Sequence, residues 1–246
     1  MLSKAEITRY NRQLLINGWG NEAQEKLKQS TVFVAGVGGL GSPLLYYLAV
    51  AGIGTLKICD FDKIDLSNLN RQILHTENEI GILKVDSAYN TLINANPNIT
   101  IIKVNEKLGE KNTPKIVGDA DIIVDCLDNF YTRQILNETS VKKSIPMIHA
   151  GVSGFIGQIT FIHPPDTPCL ACFFPDKAKK EITPIVGATA GILGSLQALE
   201  VIKYLTGIGE NLKNKLLFWD GLEMNFKTIK LQKNCNCKIC SKHLKS

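Results

Sequence analysis

Four cysteines stand as two C-x-x-C pairs, Cys169 with Cys172 and Cys237 with Cys240. Two such pairs supply the thiolates of a closed, tetrahedral structural zinc site; the same spacing also serves a redox pair or leaves unrelated free thiols. The pairs are far apart in the chain, so a shared ion requires the fold to bring them together. Cys235, beside the second pair, could substitute as a ligand or be an exposed free thiol, and the latter is the reading preferred.

A second set is built for phosphate. Gly36-Val-Gly38-Gly39-Leu-Gly41-Ser42 contains G-x-G-x-x-G, and Asp60 follows about 20 residues further on. The glycines permit a tight turn and close backbone approach to phosphate, a following helix offers unpaired N–H groups, and Asp60 can accept hydrogen bonds from ribose hydroxyls. A nicotinamide-dependent dehydrogenase would carry the same fingerprint, so other residues must decide the chemistry. Arg9 and Arg12 stand near the start, Arg71 and Gln72 follow Asp60-Phe-Asp62, and Lys84 opens a helical stretch. Guanidinium groups bind phosphate oxygens bidentately, and a dehydrogenase does not need several cations around its cofactor. Taken singly, each of these is an ordinary surface cation. Asp128 can hold Mg²⁺ against phosphates, with Asp125 as its competitor; either can instead cap the helix that begins near Phe130.

These residues need a frame. Thr31 to Ala35 is a short, β-branched apolar run that ends in the glycine cluster, as a buried parallel strand feeding a turn does. A helix over Ser42 to Ala51 follows, stopped by Gly52, then a strand at Leu56 to Cys59. The alternation continues: helix Ile82 to Asn94, strand Ile99 to Val104, helix Thr113 to Val117, strand Ile122 to Cys126, helix Phe130 to Lys142, strand Met147 to His149. Strands alternating with helices predict a doubly wound, Rossmann-like, mostly parallel α/β sheet. Beyond Phe155, the segments Gly157 to Ile162, Lys215 to Trp219 and Asn225 to Leu231 read as added antiparallel strands, with a long helix over Ala190 to Leu205. An earlier helix is expected near Asn21 to Gln29. His149 and His163 have no partner pattern and read as structural.

With 246 residues, 44% of them hydrophobic and 21% charged, the chain can bury one substantial core, so a single domain is expected. Its halves would be nucleotide-binding (about 1–150) and zinc-containing (about 151–246). Nowhere do about 18 apolar residues run together, and Met1 to Gln13 is charged, so the expectation is a cytoplasmic chain without a membrane span. A net charge of +5 spread along the chain does not argue for nucleic acid.

In order along the chain, R-Y-x-R-Q, G-x-G-G-L-G-S, D-x-D, S-N-L-x-R-Q, G-x-x-K, D-C-x-D-N and the paired C-x-x-C resemble the ThiF/MoeB/HesA family, bacterial relatives of ubiquitin-activating enzymes. The resemblance runs from Arg9 to Cys240. It implies an adenylyltransferase that takes Mg·ATP and a ubiquitin-like sulfur-carrier protein ending in Gly-Gly, and forms a carrier acyl-adenylate for thiamine thiazole or molybdopterin synthesis. Carried over by motif, Asp60 and Asp62 sit by the ribose, and Gly36, Gly38, Gly39 and Gly41 form the phosphate loop. Ser67, Asn68, Arg71, Gln72 and Lys84 surround the phosphates, while Asp128 and Asn129 mark the magnesium end. The four cysteines become zinc ligands. Arg12 would reach into the neighbouring subunit of a homodimer. The sulfur donor would be separate, for instance a cysteine desulfurase. One departure stands out: Asp176 to Pro184 contains no cysteine, where many relatives carry one that captures the carrier. Adenylation without an obligatory covalent carrier intermediate from that loop is therefore expected, with Lys177, Lys179 and Lys180 facing either an acidic carrier or solvent.

Overall fold

The computed structural model describes residues 1–174 and 184–241. The loop reading of residues 176–183, with its lysines and its missing cysteine, lies outside them.

Two short helices open the chain, α1 (Lys4–Arg9), started by a Ser3/Glu6 capping box, and α2 (Asn11–Leu14); neither was expected from the sequence. Then come α3 (Gly20–Gln29), β1 (Thr31–Ala35), α4 (Gly41–Ala51), β2 (Thr55–Cys59), α5 (Lys84–Ala95), β3 (Thr100–Val104), α6 (Thr113–Val117), β4 (Ile122–Asp125) and α7 (Phe130–Lys143). The remainder is β5 (Met147–Ser153), β6 (Ile156–Ile162), α8 (Leu170–Phe173), α9 (Gly187–Thr206), β7 (Lys215–Asp220) and β8 (Asn225–Lys230). Apart from α8, which was not expected either, these bounds fall within a few residues of the predicted elements. The largest departure is β5, which runs four residues past His149 because it pairs along its whole length with β6.

One eight-stranded sheet takes the order β3-β2-β1-β4-β5-β6-β7-β8. The first five strands in that order are parallel and the last three antiparallel. Strand order reverses between β1 and β4, the crevice where open α/β sheets bind ligands. β1 shows why both faces are covered. Val32 and Val34 point into a core with Leu44 and Leu48 of α4 and Val201 of α9, while Phe33 and Ala35 point into a second core with Leu136 of α7 and Met147. Burying each such side chain contributes roughly 1.5–3 kcal/mol, which fixes the strand that launches the glycine loop. α4 then ends at Gly52 in a left-handed conformation (φ 88°) that a side chain would resist.

Candidate functional site

The glycine loop leaves β1 at Gly36, whose φ of +97° favours glycine, and a Cβ there would meet the Cys126 carbonyl oxygen at 2.6 Å. A Cβ at Gly41 would meet the Gly36 carbonyl oxygen at 2.2 Å, so the turn closes on itself directly against the end of β4. Gly38 and Gly39 face outward toward the cation segment. From ideal Cβ positions on them, Gln72 Nε2 is 3.5 Å away and the Arg71 Cγ 3.4 Å away. A Cβ on Gly187, at the start of α9, would strike the Asn70 carbonyl at 2.5 Å, so α9 presses the Arg71 segment onto the loop. Arg71 Nη1 donates to Ser67 O and Asn70 Oδ1, both at 2.8 Å, which fixes the guanidinium while the side chain's Cγ and Cδ lie against Gly39.

The acidic pair is first of all structural. Asp60 Oδ2 accepts from the Val37 N–H at 2.8 Å and Oδ1 from the Asp62 N–H at 2.9 Å, and burial raises its pKa against the pull of Lys84. Its carboxylate is thus already holding the glycine loop, a role the sequence did not reveal. Lys84 is buried at 6% exposure and its Nζ lies 3.0 Å from Asp62 Oδ2, at the first residue of α5. A three-residue 3₁₀ turn carries Ser67 and Asn68 and is capped by Asp65, which accepts from Ser67 N at 2.9 Å.

The structure separates the two aspartates that the sequence left in competition. Asp125 is fully buried: Oδ2 lies 2.7 Å from His149 Nδ1, Oδ1 accepts from Leu127 N at 3.0 Å, and Arg133 Nε stands 3.5 Å away. Gln197 of α9 donates to its backbone carbonyl at 2.9 Å. Asp125 therefore cannot reach a phosphate-bound ion, whereas Asp128 is exposed at the carboxyl end of β4. Neither aspartate caps α7. Asn129 does, its Oδ1 accepting from Thr132 N at 2.9 Å, and this corrects the capping alternative. Sequence reasoning also missed Arg133, which donates to the Leu127 and Ala150 carbonyls and so holds the residue before Asp128 in place. His149 is fully buried against Asp125, and burial lowers its pKa although Asp125 pulls the other way.

Arg12 does not join this cluster. Its neighbour Gln13 donates to Gln24 and to the Ala51 carbonyl, at the end of α4 opposite the glycine loop. Eleven helical residues separate those ends, a distance of roughly 15 Å.

On the second face, α8 and the tail after β8 meet. The sulfurs of Cys169, Cys172, Cys237 and Cys240 all lie within 4.8 Å of one another, with neighbouring pairs at 3.4, 3.6 and 4.0 Å. Thiolates about 2.3 Å from a tetrahedral zinc stand about 3.8 Å apart, so this cluster fits a zinc ion closely. Asn137 of α7 accepts from Leu170 N at 2.9 Å and pins the first pair, and Lys233 reaches the Pro165 carbonyl and ties down the second. Cys235 is exposed and outside the cluster. Among the described residues, no helix is long and apolar enough to cross a membrane.

Comparisons with known proteins find relatives along nearly the whole chain. The model of the ThiF family matches residues 10–239. The chain is 35% identical over 245 residues to the SAMP-activating enzyme E1 of Haloferax volcanii, covering 97% of this chain and 90% of that one. It is 36% identical over 244 residues to the molybdopterin-synthase adenylyltransferase of Escherichia coli, covering 97% and 98%. A 38% match over 247 residues to the adenylyltransferase and sulfurtransferase MOCS3 of Culex quinquefasciatus covers 98% of this chain but only 56% of that longer protein. Among solved structures, E. coli MccB with ATP superposes with a TM-score of 0.84 at 25% identity, covering 94% of this chain and 74% of MccB. The crystal structure of MccB with MccA-N7isoAsn gives 0.86 at 25% identity, covering 97% and 75%.

Proposed function

The chain belongs to the ThiF family, and from that premise we propose that it uses ATP to adenylylate the C-terminal Gly-Gly carboxylate of a ubiquitin-like sulfur-carrier protein. The single observation that carries this is the packing of Arg71 and Gln72 on Gly38 and Gly39, with Lys84 buried beside Asp60 and Asp62 at the same end of the sheet. That sets a guanidinium and an ammonium, both donors suited to phosphoryl oxygens, beside a loop whose glycines admit a phosphate.

In the reaction a carboxylate oxygen attacks the α-phosphorus of ATP. One P–O bond forms, the bond to the β-phosphate oxygen breaks, and pyrophosphate leaves. Attacker and target are both anionic, so their repulsion has to be offset by positive charge, and the acceptor needs no general base because it is already ionised near neutral pH. Arg71 offers a rigid fork to phosphoryl oxygens, and Lys84 has three donors, enough to keep Asp62 while engaging a phosphate. Asp62, Ser67, Asn68 and Asn129 line the approach. Asp128, exposed beside the loop, is the residue that would hold Mg²⁺, an ion that takes one or two carboxylates and otherwise phosphate and water oxygens. Zinc held by the four cysteines would contribute folding free energy and no chemistry to the phosphates.

Arg12 lies at the far end of α4 from its own glycine loop, which supports a homodimer in which it serves the partner's site. The identity to the molybdopterin-synthase adenylyltransferase supports a carrier of that type over the thiamine alternative. A separate sulfur donor, such as a cysteine desulfurase, completes the scheme. A second reading, activation of some other C-terminal carboxylate, has the likeness to MccB behind it. Carrier-dependent exchange of pyrophosphate into ATP tests both. Exchange with a Gly-Gly carrier of the host supports the first reading, and its absence with every such carrier rejects it.

A further inference from the structure

His75 belongs to none of the sequence motifs, yet its ring is buried under the glycine loop at 6% exposure. Nε2 lies 3.1 Å from the Val37 carbonyl oxygen and Nδ1 2.8 Å from Ser87 Oγ on α5. A carbonyl can only accept, so Nε2 carries the hydrogen, and in the neutral ring Nδ1 accepts from the Ser87 hydroxyl. Burial pushes the His75 pKa down, in keeping with a neutral ring. On its other side Val37 donates its N–H to Asp60. This one residue of the loop is therefore gripped at both of its backbone polar groups.

The grip has a directional effect. In a planar trans peptide, the C=O of one residue and the N–H of the next point opposite ways. Drawing the Val37 carbonyl inward onto a buried ring turns the Gly38 N–H the opposite way, outward, on a residue whose ideal Cβ position looks toward Gln72. Without that hydrogen bond little opposes rotation of the Val37–Gly38 peptide, because a flip asks for positive φ at residue 38 and glycine takes it at no steric cost. A flipped peptide would present a carbonyl oxygen to phosphate.

We propose that His75 is a positioning residue of the nucleotide site: by donating from Nε2 to the Val37 carbonyl, it holds the Gly38 N–H in the orientation that receives a phosphate oxygen. This deepens the adenylation reading and rests on it.

The test is binding of the non-hydrolysable analogue AMPCPP with Mg²⁺, measured by calorimetry, for the full chain and for His75→Leu and His75→Gln. Leucine keeps the volume and removes the donor; a glutamine amide restores a donor at similar reach. Affinity is expected to fall about tenfold in His75→Leu and to stay within about threefold of wild type in His75→Gln. In pyrophosphate exchange the KM for ATP should rise in step while that for the carrier stays constant. His75→Leu binding as tightly as wild type overturns the proposal, as does His75→Gln binding as weakly as His75→Leu. If the leucine variant does not fold, Ser87→Ala takes its place: it releases Nδ1 and is expected to weaken binding about threefold, and no change would reject the role. Wild-type protein that fails to bind AMPCPP would overturn the nucleotide site itself, an outcome distinct from a failure confined to His75.

Discussion

Two parts of the molecule hold loops in place by different means. At the carboxyl ends of β1, β2 and β4, each loop is gripped by buried side chains acting on backbone atoms. Val37 is held between Asp60 and His75, and Leu127 between Asp125 and Arg133. In the second core, the segment after β6 and the tail after β8 are also held by side chains, Asn137 on Leu170 and Lys233 on Pro165, but four sulfurs draw the two segments together. The first arrangement fixes the backbone beside Arg71 and Lys84, where the nucleotide is proposed to bind. The second closes a long stretch of chain. Losing a residue from the first should cost chemistry, and losing one from the second should cost stability.

The hardest test of that division is Arg71→Ala or Asp128→Ala. Carrier-dependent pyrophosphate exchange should drop about a hundredfold or more, with thermal unfolding near that of wild type. An equally large loss of melting temperature would erase the distinction. From the other side, Cys172→Ser and Cys240→Ser should abolish stoichiometric zinc and lower Tm by roughly 5–10 °C, corresponding to about 3 kcal/mol, while exchange at low temperature stays within a few-fold of wild type. A metal analysis giving well under one zinc per intact chain would remove the cysteine knot as a metal site.

Proton linkage sharpens the picture further. Burial lowers the pKa of both His75 and His149, and Asp125 pulls His149 back only in part. The unfolded chain takes up these protons near pH 6.5, the folded chain only at lower pH. Below about pH 6.5 the unfolded state therefore binds more protons, and stability should fall by up to about 1.4 kcal/mol per pH unit for each group, with little change from these groups above pH 7. Urea unfolding at pH 7.0 and 5.5 measures it, and His149→Gln should reduce the slope. The smallest effect is expected at Cys235. Exposed and outside the cluster, its change to serine should leave zinc content intact and Tm within about 1 °C.

The predictable parts of this protein were local. β1 and the glycine turn were legible because β-branched apolar residues followed by Gly36, Gly38, Gly39 and Gly41 suit one backbone path. α8 was missed because four residues starting inside a C-x-x-C pair carry no periodicity, and its start is fixed by Asn137 from another helix. His75 and Arg133 left no signal because what they touch, the Val37 and Leu127 carbonyls, are backbone atoms that every residue possesses.

By itself the sequence determined the alternation of strands and helices, the phosphate-binding turn, the set of cations and the presence of four thiolates in two pairs. Those follow from residue type and near-neighbour spacing. Only the tertiary structure decided which of Asp125 and Asp128 faces solvent, that one Asp60 oxygen holds the glycine loop, that Arg12 lies away from its own site, and that the two cysteine pairs meet. Each of these turns on burial and on contact between segments distant in the chain, quantities set by how helices and sheet pack.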